Sequence, residues 1–255
     1  MLTSAKTDPY TVLAEVYDEV MANVDYELWA DFIDEVIQIN HPNATEVLEL
    51  ACGTGLFSFE LEKLGYNITP TDKSLKMLEK ARENVRHFDS NLQFEQADFL
   101  NINLSRRFDI VLSVFDSVNY LMDEASLLRM FSKVKQTLKP DGLFIFDFTT
   151  PLNSLESIHF LDERSGSTEN GYQYFRKSRY DEKLQVHYNT FEIERFDNQG
   201  NVIEHFTEIH EQRAYKLSQM TKIIRETNFT VKAAYGEFNM KKANAGSHRI
   251  TIVLK

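Results

Sequence analysis

The feature that most constrains the fold is a short apolar run that ends in a glycine-containing turn. Residues 46–52 read Glu-Val-Leu-Glu-Leu-Ala-Cys, and Gly53 and Gly55 follow before a helical pattern over residues 56–64. Such a run predicts a strand that feeds a tight turn, where glycines let a ligand approach the backbone. The unpaired N–H groups at the start of the next helix favour negative charge. The segment therefore predicts a strand–turn–helix unit with a ligand site at its turn.

The alternation of strand and helix patterns continues to residue 148. Further strands are predicted at residues 67–71, 92–97, 108–115 and 142–148, with helices that begin after Ser74 and at Asp123. Strands that are apolar on both faces and alternate with helices are typical of a parallel sheet covered on both sides. Two amphipathic helical patterns, over residues 12–21 and 28–37, precede the first strand. These residues predict an α/β fold.

The pattern changes after Pro151. Residues 152–215 contain 10 aromatic residues, and period-2 stretches at 172–180, 184–196 and 202–210 surround a turn signal at 197–200. This pattern predicts that residues 152–215 form an antiparallel β subdomain. It is inserted into the α/β domain, which comprises residues 1–151 and 216–255. The last forty residues return to the alternation of helix and strand patterns, with a helix at about 219–227 and strands near 229–236 and 249–254.

Charge and cysteine content restrict the partners of the chain. It has 255 residues with 39 Asp and Glu against 28 Lys and Arg, a net charge of −11, and one cysteine, Cys52. Such a surface repels phosphate backbones, so we expect no nucleic-acid partner. No run of about 18 apolar residues predicts a membrane span, and a reduced cytoplasmic setting is the simplest interpretation. The seven histidines form no recognisable ligand pair, so we predict no metal site.

Acidic and aromatic side chains follow the next three predicted strands. Asp72 closes the second strand, Asp98-Phe99 closes the third, and Phe115-Asp116-Ser117 closes the fourth. Ligands of parallel α/β sheets bind at the carboxyl ends of the strands, so these groups are expected to converge on one cleft with the glycine turn. An acid at Asp72 can accept hydrogen bonds from both hydroxyls of a ribose, and one at Asp98 can accept from an adenine amine. Phe99 and Phe115 are equally well explained as core residues.

These residues resemble those of class I S-adenosylmethionine-dependent methyltransferases. Glu49-Leu-Ala-Cys-Gly-Thr-Gly55 resembles the first motif of that family, with Ala51 in place of the usual first glycine. Asp72 matches its ribose-binding acid, Asp98-Phe99 its adenine-contacting pair, and Leu138-Lys-Pro-Asp-Gly142 the turn before its fifth strand. The N-terminal residues 10–18 and Trp29 resemble small bacterial enzymes of the glycine/sarcosine type and related small-molecule methyltransferases.

The resemblance implies a Rossmann-like sheet of seven strands with the C-terminal strand antiparallel to the rest. It also implies that the two N-terminal helices cover the cofactor, that Tyr17 or Trp29 reaches the methionine end, and that Glu49 meets the ligand's ammonium group. The alternative explanation for Glu49 is a salt bridge at the strand end, but the ammonium group of the ligand accounts better for an acid so close to the core. The predicted contacts of the cofactor S-adenosylmethionine are Tyr17, Trp29, Glu49, Ala51, Gly53, Gly55, Asp72, Met77, Asp98, Phe99 and Phe115.

Other functions are weighed against methyl transfer to a small molecule. A dinucleotide-dependent dehydrogenase requires G-x-G-x-x-G/A, but counting from Gly53 the last position is Ser58. A tRNA-modifying methyltransferase conflicts with the net charge, and a module that binds the cofactor without catalysis stays open. The insert is predicted to roof the acceptor side and carries His159, His187, His205 and His210. No catalytic residue, methylated atom type or oligomeric state is predicted.

Overall fold

The computed structural model of the chain describes residues 3–88 and 90–255. Its helices are α1 (Tyr17–Val20), α2 (Tyr26–Asn40), α3 (Leu56–Lys63), α4 (Leu75–Val85), α5 (Glu124–Thr137), α6 (Pro151–Leu161) and α7 (Leu217–Ile224), with 3-10 turns at Leu13–Glu15 and Ser117–Tyr120. Its strands are β1 (Thr3–Thr7), β2 (Glu46–Leu50), β3 (Asn67–Asp72), β4 (Glu95–Gln96), β5 (Phe108–Ser113), β6 (Leu138–Thr149), β7 (Arg164–Ser167), β8 (Tyr172–Asp181), β9 (Val186–Phe196), β10 (Val202–Arg213), β11 (Val231–Gly236) and β12 (Arg249–Leu254).

A seven-stranded sheet forms the centre of the molecule, in the order β11-β12-β6-β5-β2-β3-β4. Strands β4, β3, β2, β5 and β6 are parallel, and β12 runs antiparallel to both β6 and β11. The predicted seven-stranded Rossmann-like α/β fold, with an antiparallel C-terminal strand and an inserted antiparallel β subdomain, is confirmed.

Helices cover both faces of this sheet because its strands are apolar on both sides. Along β6, Phe144, Phe146 and Phe148 belong to one buried cluster, which also includes Phe131 of α5 and residues of α7. The alternate residue Ile145 belongs to the opposite cluster, formed with α2, α3 and α4. Side chains alternate across a strand, so one continuous apolar run supplies both layers.

A second, five-stranded sheet has the order β1-β10-β9-β8-β7. The predicted meander is confirmed, because β8, β9 and β10 pair antiparallel in sequence order. The structure adds three elements that the sequence patterns did not predict: β7, helix α6, and strand β1, which pairs parallel with β10. The N-terminus thus contributes a strand to the sheet that residues 164–213 otherwise form, and the predicted domain division stays a prediction.

Two predicted elements are shorter than expected. The helix predicted over residues 12–21 is wrong in extent: it is a 3-10 turn followed by the single-turn α1. The backbone N–H groups of Tyr10, Val12 and Leu13 bind the carboxylate of Glu208 instead, which keeps the chain non-helical before residue 13. The strand predicted at 92–97 is only β4, two residues long, beside Pro70-containing β3. Since proline has no N–H to donate, pairing there is confined to Thr71 and Asp72.

Within the described residues, no helix combines the length and apolar character that a membrane crossing requires.

Candidate cofactor and acceptor site

The turn after β2 has three residues with left-handed backbone conformation. Ala51, Gly53 and Gly55 all have positive φ, at 60°, 56° and 77°. A Cβ on Gly55 would lie 2.8 Å from the ring of Phe94, so this position requires glycine for both conformation and space. A Cβ on Gly53 would meet only Tyr17, at 3.7 Å. Gly55 therefore closes the turn onto the core, whereas Gly53 faces the open side.

Asp72 lies at the end of β3 with its carboxylate directed at this turn. It accepts hydrogen bonds from the backbone N–H of Gly53 at 2.9 Å and of Ser74 at 2.7 Å. The side chain is 9% exposed, and no cation lies within 4 Å of it in the described part of the chain. Burial raises the pKa of Asp72 to about 6. A buried carboxylate without an ion pair suits a ligand that brings hydroxyl donors.

Asp98 and Phe99 follow β4, on the neighbouring strand end. The Asp98 carboxylate accepts from the backbone N–H of Leu100 at 2.8 Å and pairs with Lys73 at 2.9 Å. Burial acts to raise the pKa of Asp98, but these two contacts outweigh it and the pKa is lowered. Asp98 is therefore ionised and remains 31% exposed, so it can accept a further hydrogen bond.

The turn after β5 also has a strained backbone. Phe115 and Asp116 have φ values of 59° and 51°, a conformation that costs non-glycine residues free energy. Asp116 is held in place: its N–H donates to Asp147 at 3.0 Å and its carboxylate pairs with Arg249 at 2.6 Å. Arg249 also pairs with Asp147, and its guanidinium lies 5.3 Å from the ring centroid of Trp29. This cluster fixes the ring of Phe115 over the site.

One cavity of about 960 Å³ connects these groups. Eight of the eleven predicted cofactor residues line its wall, namely Tyr17, Ala51, Gly53, Asp72, Met77, Asp98, Phe99 and Phe115. Residues 8–11 of the N-terminal segment, Tyr26 of α2 and the turn residues Ser117 and Tyr120 complete the wall on other sides. The carboxyl ends of β2, β3, β4 and β5 therefore share one cavity, as predicted from their order in the chain.

The structure does not bring Trp29, Glu49 and Gly55 to the cavity wall. Trp29 packs behind Phe115, with ring centroids 4.3 Å apart. Glu49 is 1% exposed and bonds to the hydroxyl of Ser58, while burial raises its pKa to about 7. It forms no ion pair within the described residues, so the alternative prediction of a salt bridge at the strand end is wrong. These three residues support the wall from behind.

A segment of the N-terminus crosses one side of the cavity and is fixed at both sides. We call residues 8–13 the strap. The hydroxyl of Ser74 donates to the backbone carbonyl of Tyr10 at 2.7 Å, while Glu208 accepts from the N–H groups of Tyr10 at 2.9 Å and Leu13 at 3.0 Å. Behind the strap, Asp18 accepts from Thr54 at 2.6 Å, which ties α1 to the glycine turn.

Sequence reasoning missed a row of polar side chains beside the strap. The hydroxyls of Tyr10 and Tyr120 lie 2.6 Å apart, and Tyr120 contacts Nδ1 of His210 at 2.9 Å. Nε2 of His210 lies 3.4 Å from Glu208. His210 stands out in the sequence only as one of four histidines in the insert. No pattern links it to Tyr120, because residues 90 apart meet only in the folded chain.

Cys52 lies beside the glycine turn as a buried side chain. Cys52 is 7% exposed at the cavity wall, and burial raises its pKa well above the usual range, so the thiol is not activated. Among residues 3–88 and 90–255, no group of three His, Cys, Asp or Glu side chains is arranged to hold a metal ion.

This chain resembles known methyltransferases in sequence and in fold. Residues 47–142 match the family model described as "Methyltransferase domain". The protein YqeM of Bacillus subtilis (strain 168) is 29% identical over 244 residues, which are 94% of each chain. A solved S-adenosylmethionine-dependent methyltransferase from Clostridium acetobutylicum is 28% identical, with a TM-score of 0.76, and the match covers 96% of this chain and 98% of that one.

A further relative has a named substrate. It is the dTDP-3-amino-3,4,6-trideoxy-alpha-D-glucopyranose N,N-dimethyltransferase of Streptomyces venezuelae, 25% identical over 202 residues, which are 77% of this chain and 81% of that protein. The glycine turn, the unpaired buried carboxylate of Asp72 and the shared cavity suit the cofactor of these enzymes. The protein is an S-adenosylmethionine-dependent methyltransferase, with a methyltransferase domain over residues 47–142 and a fold similar to that of the class I enzymes.

Proposed function

We propose that the protein methylates an amine nitrogen of a small molecule. The observation that carries the proposal is one cavity of about 960 Å³, lined by eight of the predicted cofactor residues and also by Tyr10 and Tyr120. Clefts that hold small ligands measure roughly 300–1,000 Å³. A cavity at the upper end of that range has room for a nucleoside cofactor and a small acceptor together.

The cofactor would be held by residues from four strand ends. Asp72 would accept from the ribose hydroxyls, and Asp98 with Phe99 would contact the adenine. The glycine turn, Met77, Tyr17 and Phe115 would form the remaining wall, with Trp29 and Glu49 behind it. When bound, S-adenosylmethionine supplies a methyl group already activated by the positive charge on sulfur.

The remaining work of the protein is to position the acceptor and exclude water. Reacting atoms held in line can gain roughly 7–11 kcal/mol of the barrier from proximity and orientation alone. The strap and the fixed ring of Phe115 close two sides of the cavity. Such a wall can orient a lone pair toward the methyl group without a strong base, provided that the acceptor is not protonated.

An amine acceptor is favoured over a nucleic acid for two reasons. The related Streptomyces venezuelae enzyme methylates an amino sugar according to its name. The net charge of −11, and of −5 for residues 152–215, with 12 Asp and Glu against 7 Lys and Arg, opposes a phosphate backbone. A tRNA-modifying activity and a binding module without catalysis are therefore the alternatives to be tested.

The first test is calorimetric titration with S-adenosylmethionine and S-adenosylhomocysteine, with NADH as the control. A second step incubates the protein with isotopically labelled S-adenosylmethionine and a panel of acceptors: glycine, sarcosine, dTDP-linked 3-amino sugars, their hydroxyl counterparts and bulk tRNA. We expect cofactor binding and label transfer to an amine. Transfer to tRNA alone, or cofactor binding with no transfer to any acceptor, would contradict the proposal.

A further inference from the structure

A buried chain of hydrogen bonds leads from the cavity wall into the second sheet. It passes from Tyr10 to Tyr120 at 2.6 Å, from Tyr120 to Nδ1 of His210 at 2.9 Å, and from Nε2 of His210 to Glu208 at 3.4 Å. The two tyrosines line the cavity, whereas His210 and Glu208 are 2% and 0% exposed. The first half of this hydrogen-bond chain therefore faces the cavity, and the second half is sealed from water.

The hydrogen-bond directions follow from the Glu208 carboxylate. It accepts from the N–H groups of Tyr10, Val12 and Leu13 and from the Thr7 hydroxyl. Burial acts to raise the pKa of Glu208, but the contacts with His210 and these N–H groups outweigh it, so the pKa is lowered. An ionised carboxylate only accepts, so Nε2 of His210 carries the hydrogen that faces Glu208. In the neutral ring, Nδ1 is then left to accept from Tyr120. The oxygen of Tyr120 then accepts from Tyr10.

The backbone at Tyr10 gives an independent sign of a functional position. Its φ is 62°, a conformation that costs a bulky residue free energy, and the strap contacts with Ser74 and Glu208 hold it there. Burial raises the pKa of both tyrosines well above the usual range, so each is a neutral phenol that can receive one proton while it gives up another. Glu208 thus holds both ends of the hydrogen-bond chain, because it accepts from the backbone N–H of Tyr10 and contacts Nε2 of His210.

We propose that Tyr10, Tyr120 and His210 form a proton relay that deprotonates the acceptor amine, with Glu208 as the positioning residue that stabilises the charged His210. The inference rests on the proposed function. An alkyl ammonium has a pKa near that of lysine, about 10.4, and no free lone pair at neutral pH. A base is therefore needed before the nitrogen can attack.

Deprotonation of the acceptor precedes methyl transfer. The ammonium proton passes to the Tyr10 oxygen as the Tyr10 proton passes to Tyr120 and the Tyr120 proton to Nδ1 of His210. The freed nitrogen lone pair then forms a bond to the methyl carbon while the carbon–sulfur bond breaks, and that electron pair stays on sulfur. His210 is left as an imidazolium beside Glu208. When the product leaves, its proton returns through Tyr120 and Tyr10 to water in the emptied cavity.

The kinetic test compares His210→Asn with His205→Asn. Asparagine keeps an acceptor for the Tyr120 hydroxyl but cannot take up a proton. His205 lies on the same strand, and its Nε2 lies 3.0 Å from the carboxylate of Glu192. It takes no part in the hydrogen-bond chain that leads from Tyr10 to Glu208. With the amine from the panel that wild type methylates, we expect His210→Asn to lower kcat about 100-fold or more. KM and S-adenosylhomocysteine affinity should stay within about twofold, and His205→Asn should match wild type.

The second readout needs no acceptor. Nitrogen NMR of the protein with ¹⁵N-labelled histidine should show His210 neutral, with hydrogen on Nε2 and a hydrogen-bonded Nδ1. Tyr120→Phe should move the Nδ1 signal to that of a free nitrogen and should also lower kcat. A His210 that carries hydrogen on Nδ1, or a His210→Asn variant that keeps wild-type kcat, would overturn the relay.

The outcomes separate the two proposals. If wild type methylates a hydroxyl compound or tRNA and no amine, the proposed function fails and the relay fails with it, whatever the NMR spectrum shows. If wild type methylates an amine but His210→Asn loses cofactor affinity and kcat together, His210 is structural and only the relay is overturned.

Discussion

Asp72 is the residue on which the cofactor assignment depends most. Its carboxylate is buried, lines the cavity and bonds to the N–H groups of Gly53 and Ser74. We expect Asp72→Ala to weaken S-adenosylmethionine binding by about 1.5–3 kcal/mol, the value of hydrogen bonds to a charged group. Calorimetry measures this, and Asp109→Ala is the control, because Asp109 binds Thr45, Glu46 and Lys139 away from the cavity. Unchanged affinity would show that the ribose lies elsewhere.

Gly55 provides a test of the turn itself. Alanine there would place a Cβ 2.8 Å from the Phe94 ring at a φ of 77°. Gly65 is the matched control, because its φ is 95° but nothing lies within 4 Å of an added Cβ. We expect Gly65→Ala to cost about 1 kcal/mol of unfolding free energy for the backbone conformation alone, and Gly55→Ala clearly more. Urea unfolding of both variants decides whether the close approach adds to the cost.

At the scale of elements, the anchors of the strap give a third prediction. Ser74 caps α4 by accepting from Met77 at 3.2 Å and also holds the Tyr10 carbonyl. Asp25 caps α2 in the same way, accepting from Leu28 at 2.9 Å, without touching the strap. Both Ser74→Ala and Asp25→Ala should cost about 0.5–2 kcal/mol of stability. Only Ser74→Ala should speed hydrogen exchange in residues 8–13, and equal exchange in both variants would show that Ser74 does not hold the strap.

The elements that follow local patterns were predictable from the sequence. Strand β2, the glycine turn and the order of acids at the strand ends follow from apolar runs and turn residues, and the structure brings Asp72 and Asp98 to one cavity. Helix α6 had a readable signal, with Thr150 as N-cap and Pro151 at its first position. Strand β1 had none, since Thr3–Thr7 becomes a strand only by pairing with β10.

The polar contacts of the acceptor side were not predictable for the same reason. Tyr10, Tyr120 and His210 come from the strap, the turn after β5 and strand β10, and their meeting depends on how the two sheets pack. Glu49 shows the reverse case. Its motif predicts a ligand contact, which stays a prediction, whereas its hydrogen bond to Ser58 behind the wall is seen only in the folded chain.

For the whole molecule, buried acids make stability depend on pH. Burial raises the pKa of Glu49 from 4.5 to about 7 and that of Asp72 from 3.8 to about 6. Between its unfolded and folded pKa values each of these acids binds more protons in the folded protein than in the unfolded chain. The contribution of these two acids to the unfolding free energy therefore falls as pH rises from about 4 to 7. At about 1.4 kcal/mol per pKa unit, the contribution of Glu49 is on the order of 3 kcal/mol.

Chemical unfolding of the ligand-free protein at pH 5, 6, 7 and 8 measures this dependence. Glu49→Gln removes the ionisation while keeping the size of the side chain, so its stability should change less with pH than that of wild type. The variant should gain most relative to wild type above pH 7. Curves with the same slope in both proteins would mean that Glu49 is not the buried acid responsible.

The strap also bears on the rates at which a nucleoside enters and leaves the cavity, rather than on its affinity. It is fixed on one side to Ser74 and on the other to Glu208, and its residues form part of the wall around the predicted nucleoside site. Release of these anchors would open that side of the cavity, so we expect the strap to slow the arrival and the departure of a nucleoside alike. The protein would then set how long each spent cofactor stays through the anchors of the strap as well as through the contacts of the cofactor itself.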